Sequence, residues 1–287
     1  MQRLFTGLLG SICLFTATTG LSSADALLER GRALMNGVAA CGNCHMARDE
    51  QGKPIPERGL SGGMKFDDGP FVAYAANITP DRETGIGRWT DKQLFRAIRE
   101  GIRPDGSLIG PPMPIELYRG MADADLKAII AYLRAAPAVG NKVPKSEYKM
   151  KLPPNYGPPV GKVTAPARKD LVRYGAYLAG PLGHCLECHT PMENGRRDYA
   201  DKSGAGGFVF KGPWGASVAR NLTSHESGLK NWTDAEIARA IREGVSRDGS
   251  KLKPPMAFAF YRNIGDQDMK ALIAFLRTLK PVPLGGK

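Results

Sequence analysis

The sequence predicts an all-α fold, and three observations carry that prediction. Apolar residues recur at helical spacing: Leu126, Ile129, Ile130 and Leu133 form one stripe, and Met269, Leu272, Ile273 and Leu276 form another with the same intervals. Two segments that open with Trp-Thr-Asp place Thr90 three residues before Gln93 and Thr233 three before Glu236, the arrangement of a capping box. No sustained two-residue alternation is present, and the Gly- and Pro-rich remainder reads as loops.

Taken in order, residues 1–24 hold one basic residue, Arg3, an apolar run broken by Gly and Thr, and a small-residue Ser22-Ser23-Ala24 finish. This is the pattern of a cleaved secretory signal peptide, which predicts a periplasmic protein and the loss of Cys13 with the leader. The apolar run is shorter than the roughly 20 residues of a membrane span. Nothing later resembles one, so the mature chain is expected to lack a transmembrane segment and to associate with a membrane only peripherally.

The rest of the chain is a repeat. NITPDRETGIGRWTDKQLFRAIREGIRPDGSLIGPPMP (77–114) aligns with NLTSHESGLKNWTDAEIARAIREGVSRDGSKLKPPMA (221–257), and AIREG, DGS, WTD and PPM recur in one order. Each copy opens with a helical segment, LLERGRALM and VRYGAYLAG, and closes with one of the two apolar stripes. The expected organisation is a first domain at 25–136, a linker at 137–167, a second domain at 168–281 and a tail at 282–287. The linker's prolines and lysines predict an extended, stiff strap.

Lys and Arg outnumber Asp and Glu by 40 to 28, a formal charge of +12. The basic residues are scattered and no nucleic-acid-binding module is present, so nucleic acid is not an expected partner. The surplus favours steering towards acidic proteins or anionic lipid surfaces.

Four of the five cysteines fall in CGNCH (41–45) and CLECH (185–189), at matched places in the repeat. Cys-x-x-Cys-His is the attachment sequence of c-type haem. Two thiols one helical turn apart can each add to a haem vinyl group, and the adjacent imidazole then lies beneath the iron. Cys41, Cys44, Cys185 and Cys188 are therefore expected thioether positions, His45 and His189 proximal ligands, and two haem c the cofactors. A thioredoxin-like pair would want a βαβ setting, a zinc site a further nearby ligand, and a disulfide would leave the repeated His unexplained.

The sixth ligand is expected to be sulfur. The first copy has no His besides His45, whereas Met113 in GPPMP and Met256 in KPPMA occupy matched positions behind stiffening prolines. The other methionines outside the leader have no Met counterpart. His225 competes for the second site, but it aligns with Asp81 and reads as a surface-loop residue. His184 reads as a neighbour of the haem edge.

On these residues each copy resembles a class I cytochrome c domain. The resemblance implies that Gly31 lets its helix cross closely over the C-terminal helix near Tyr132, and Gly175 does so near Phe275. More narrowly, NITPD, TGIG, WTD and PPMP resemble the cytochrome subunits of periplasmic alcohol, gluconate and related dehydrogenases. Those subunits commonly carry three such domains and a membrane anchor, and this chain is expected to lack the third. The family implies a propionate contact for Trp89 and Trp232, with packing at a helix start the alternative. Arg99 and Arg242 read as a solvated helix face, with propionate neutralisation as the alternative, and Tyr118 and Tyr261 as cavity wall.

The expected function is transfer of single electrons from a dehydrogenase to a downstream cytochrome or terminal oxidase, the partner being acidic at its docking face. The alternative is a dihaem enzyme of peroxidase or thiosulfate dehydrogenase type, with one haem open to substrate.

Overall fold

A computed structural model describes residues 22–212 and 214–286. The expected leader therefore lies outside the described residues except for Ser22, whose hydroxyl caps the first helix, and Ser23 and Ala24, which open it. The first half holds α1 (Ser23–Met35), α2 (Gly42–His45), α3 (Asp91–Glu100), α4 (Ile115–Tyr118) and α5 (Asp123–Ala135). The second repeats the order with α6 (Leu171–Tyr177), α7 (Cys185–His189), α8 (Asp234–Glu243), α9 (Phe258–Tyr261) and α10 (Asp266–Leu276).

Local chemistry explains the boundaries. Thr90 accepts from the Gln93 amide at 3.3 Å while Gln93 accepts from the Thr90 amide at 2.8 Å, and Thr233 and Glu236 do the same at 3.2 and 2.8 Å. Gly101 and Gly244 close α3 and α8 at φ 66° and 68°, the left-handed cap that glycine adopts without strain. Where α1 crosses α5, a Cβ on Gly31 would collide with the Ala128 carbonyl and the Tyr132 side chain; where α6 crosses α10, one on Gly175 would meet the Ala271 carbonyl and Phe275. Both crossings thus require glycine. α6 runs directly into a π-helical turn, Leu178–Leu182, that contains Pro181.

The all-α expectation needs correction, because three small antiparallel sheets accompany the helices. β1 (Lys65–Asp67), β2 (Phe71–Tyr74) and β3 (Glu147–Tyr148) form one, β4 (Met192–Glu193) and β5 (Arg196–Arg197) a second, and β6 (Val209–Gly212) and β7 (Gly215–Val218) a third. Strands of two to four residues are too short for a two-residue period to stand out of Gly- and Pro-rich sequence.

The linker does not bridge open space; it wraps the first half. The Val139 carbonyl accepts from Asn77 Nδ2 at 2.8 Å, β3 pairs with β2, and the Val163 carbonyl accepts from the Asp123 amide at 3.0 Å. The two halves share one core, in which Leu34, Leu126 and Ile129 join Tyr174, Leu178 and Leu272.

At their junction Asp125, only 5% exposed, accepts from Arg30 Nε at 2.8 Å and from the Tyr177 hydroxyl at 2.6 Å, and that hydroxyl accepts from the Ala122 amide at 3.1 Å. Around this network the contact is self-complementary. Gly120 of the first half packs on Pro181 of the second, and Asn263, the counterpart of Gly120, donates to the Asn36 carbonyl at 2.9 Å, beside Gly37, the counterpart of Pro181. This is the pattern of a two-fold contact.

Candidate functional site

α2 and α7 present the two Cys-x-x-Cys-His motifs to one continuous cavity of about 3350 Å³. Its wall includes Cys41, Cys44, Cys185, Cys188, Met113 and Met256. His45, His189, Trp89 and Trp232 line it too. The structure thus brings together every haem-site residue expected from the sequence. The volume exceeds by about threefold the upper end of ordinary small-molecule sites, near 1,000 Å³, which suits two large ligands.

The histidines are held alike. His45 Nδ1 lies 2.8 Å from the Ala76 carbonyl and His189 Nδ1 2.7 Å from the Arg220 carbonyl. A carbonyl can only accept, so Nδ1 carries the proton and Nε2 keeps its lone pair for a metal. Burial lowers both imidazole pKa values, partly opposed by these hydrogen bonds, and favours the neutral ligand form.

All four motif cysteines are free thiols. Although half-buried by area, they open only onto the cavity, and this burial pushes Cys41 and Cys188 up to about 12 and Cys44 and Cys185 up to about 11. A dithiol redox centre needs the opposite shift. Among the described residues no cluster of three His, Cys, Asp or Glu could hold a metal ion by itself.

A further wall residue tests the fit to haem. Trp214 Nε1 is buried without a hydrogen-bond partner among the described residues, and its indole lines the cavity. A buried indole N–H wants an acceptor, and a haem propionate would supply one. Sequence reasoning missed Trp214; the available signal was Gly-Pro-Trp at 212–214, one residue out of register with Gly-Pro-Phe at 69–71 of the first copy.

The two Met loops are braced differently. In the first half, two linker tyrosines donate to the loop, Tyr148 to the Pro111 carbonyl at 3.1 Å and Tyr156 to Ile109 at 2.8 Å. In the second, Asn43 of CGNCH reaches across and donates to the Pro255 carbonyl at 3.0 Å, one residue before Met256. The first haem motif therefore touches the second Met loop directly.

Other expectations resolve individually. His225 is not on the cavity wall and its Nδ1 lies 2.9 Å from Ser227 Oγ, as a loop residue should. His184 lines the cavity and stacks edge-on to Tyr118 at 5.8 Å. Tyr118 and Tyr261 are buried wall residues whose hydroxyl pKa values burial raises well above normal. The solvated-face reading of Arg99 is wrong: it is 4% exposed and donates to Asp123 at 2.6 Å. Arg242 donates to the Ile264 carbonyl and to Asp266 at 2.6 and 2.7 Å. Neither arginine reaches the cavity.

Residues 175–280 match the cytochrome c family model. One of the subunits of the nicotinate dehydrogenase of Pseudomonas putida is 32% identical over 90% of this chain and 22% of its own length. The cytochrome c subunit of the quinone alcohol dehydrogenase of Gluconobacter oxydans is 29% identical over 94% of this chain and 58% of its own. A diheme cytochrome c-type protein of Cereibacter sphaeroides is 29% identical over 85% and 83%. The chain thus spans between about a fifth and three fifths of the first two relatives and most of the third. A cytochrome c domain is present, and the relatives are named as subunits of dehydrogenases or as a diheme cytochrome. No helix among the described residues is long and apolar enough to cross a membrane.

Proposed function

We propose that this chain is a periplasmic dihaem cytochrome c that passes single electrons from a dehydrogenase to a downstream cytochrome or terminal oxidase. Its parts would be a signal peptide (1–24), tandem cytochrome c domains (25–136 and 168–281), the strap (137–167) and a tail (282–287). The observation that carries the reading is that a Cys-x-x-Cys-His motif and a Pro-Pro-Met loop share a cavity wall twice over.

Cys41 and Cys44 would tether one haem with His45 and Met113 as ligands, and Cys185 and Cys188 the other with His189 and Met256. Haem c held in this way would supply an iron that gains and loses one electron, with His45, Met113, His189 and Met256 as the residues that would hold it. The Ala76 and Arg220 carbonyls fix the imidazole tautomers. As ligands, Met113 and Met256 would favour the reduced state relative to a second imidazole and so raise the potential. Two sites on one cavity let two one-electron steps follow a two-electron oxidation upstream.

Titrating the holoprotein with carbon monoxide when reduced and cyanide when oxidised, while reading the sulfur-to-iron charge-transfer band, tests this. A band of two-haem intensity with slow binding of both ligands is the expected result. Immediate binding at one haem would make that site catalytic, and the peroxidase or thiosulfate dehydrogenase reading would replace the carrier.

A further inference from the structure

The two halves differ sharply in the charge they place around the cavity. The first half and strap contribute six basic and six acidic side chains to the wall, a balanced set that includes Lys65 paired with Asp67. The second half contributes Arg196, Arg197, Lys211, Arg220, Lys251 and Lys253 against Glu187 and Glu226 alone. The ion pairs of that region use Lys202, Lys230, Arg242 and Arg247 instead. Lys251 and Lys253 flank Leu252 just before the second Met loop, where the first half reads Leu108-Ile109-Gly110.

Apolar exposure leans the same way, with Met150 of the strap, 43% exposed, the one such wall residue on the first side among the described residues. Met192, Val209 and Val218 are 48%, 49% and 46% exposed, and Val209 and Val218 face each other across the β6–β7 hairpin. The edges differ as well. β2 has a neighbour on each side, β1 and the strap's β3, whereas its counterpart β7 pairs only with β6 among the described residues. The start of the strap recurs in the second half, where the Val282 carbonyl accepts from Asn221 Nδ2 at 2.7 Å as Val139 does from Asn77.

We propose that the mouth of the cavity on the second half, formed by the β6–β7 hairpin and the Lys251–Lys253 segment, is the docking face for an acidic electron-transfer protein. An exposed apolar patch ringed by cations suits a transient redox contact: the cations steer and orient an acidic partner, and the patch excludes water once it arrives. A permanently bound subunit would be expected to cover a larger apolar area. The proposal rests on the electron-carrier reading above.

The test uses the holoprotein, with poly-L-glutamate as the acidic probe in titration calorimetry at low ionic strength. Wild type is expected to bind. The double charge reversal K211E/K253E is expected to weaken binding about tenfold or more, in line with the scale of electrostatic steering, and K65E/K151E, at the first mouth, distinctly less. Equal weakening by the two pairs, or no binding by wild type, overturns the docking face. Binding to phosphatidylglycerol vesicles through Lys211 and Lys253 with none to poly-L-glutamate makes the face a membrane contact and overturns it too. Electron exchange with hexacyanoferrate(III), in which the reduced protein loses one electron for each hexacyanoferrate(II) formed, separates the two ideas. Absent exchange sinks the carrier reading and the proposal together, whereas normal exchange with equal weakening of binding sinks the docking face alone.

Discussion

The two halves share their helices, caps, crossing glycines and haem-site residues, and they diverge in what surrounds those sites. In the first half the strap lays Tyr148 and Tyr156 onto the Met113 loop and a third strand onto β2. In the second half β7 carries no third strand among the described residues, and the Met256 loop takes a bond from Asn43 of the other half. A repeat keeps the chemistry that the cofactor demands and frees the periphery to specialise, one Met loop braced by the strap and the other by the facing half.

The largest expected effect addresses what is shared. Met113→Ala and Met256→Ala should each remove about half of the sulfur-to-iron band and open one haem to carbon monoxide; a variant with an undiminished band would take that methionine out of the ligand set. Next come Gly31→Ala and Gly175→Ala. Each forces a Cβ into a facing carbonyl and should cost about 3 kcal/mol in thermal unfolding, with similar values if the crossings are equivalent.

Smaller changes should separate the halves. Tyr148→Phe deletes a hydrogen bond to the Met113 loop and Asn43→Ala one to the Met256 loop, each worth about 1 kcal/mol. The first is expected to lower the pH at which the first haem exchanges its sulfur ligand and the second to do so for the other haem. Crossed or shared effects would show the loops to be coupled.

The smallest effect concerns Asp123. The hydrogen bond from Arg99, then one from the Val163 amide, holds its carboxyl below the ordinary carboxylate range. A carboxyl depressed on folding adds stability that is complete above its unfolded value of about 4 and fades as the pH falls through the folded value. Asp123→Asn should therefore lower stability modestly at neutral pH and leave it nearly unchanged at low pH, which flattens the acid limb of the stability curve.

Much of this was legible because the chain states its pattern twice. Thr90 and Thr233, Gly31 and Gly175, and Met113 and Met256 each vouch for the other, so single-residue ambiguity falls away. What could not be read was what the repeat does not share. The tyrosines of the strap act on backbone carbonyls, which carry no sequence signature, and Asn43 acts across the junction. The burial of Arg99 depends on Asp123, 24 positions on, in a helix whose polar residues alone suggest a solvated face. Trp214 lies in a hairpin turn where the first copy has Pro70, so the repeat does not point to it.

The self-complementary junction has a consequence for how strongly the halves need to attract each other. Two copies of a small domain meeting about a two-fold axis would, as separate chains, have to overcome dilution with the apolar core they share and the hydrogen bonds of Asp125, Arg30 and Tyr177. Covalent linkage replaces dilution with an effective concentration in the millimolar range for a short connection. The shared core and the hydrogen bonds then need only fix the geometry of the pairing, and each half is free to meet its own partner without the risk of exchanging the other.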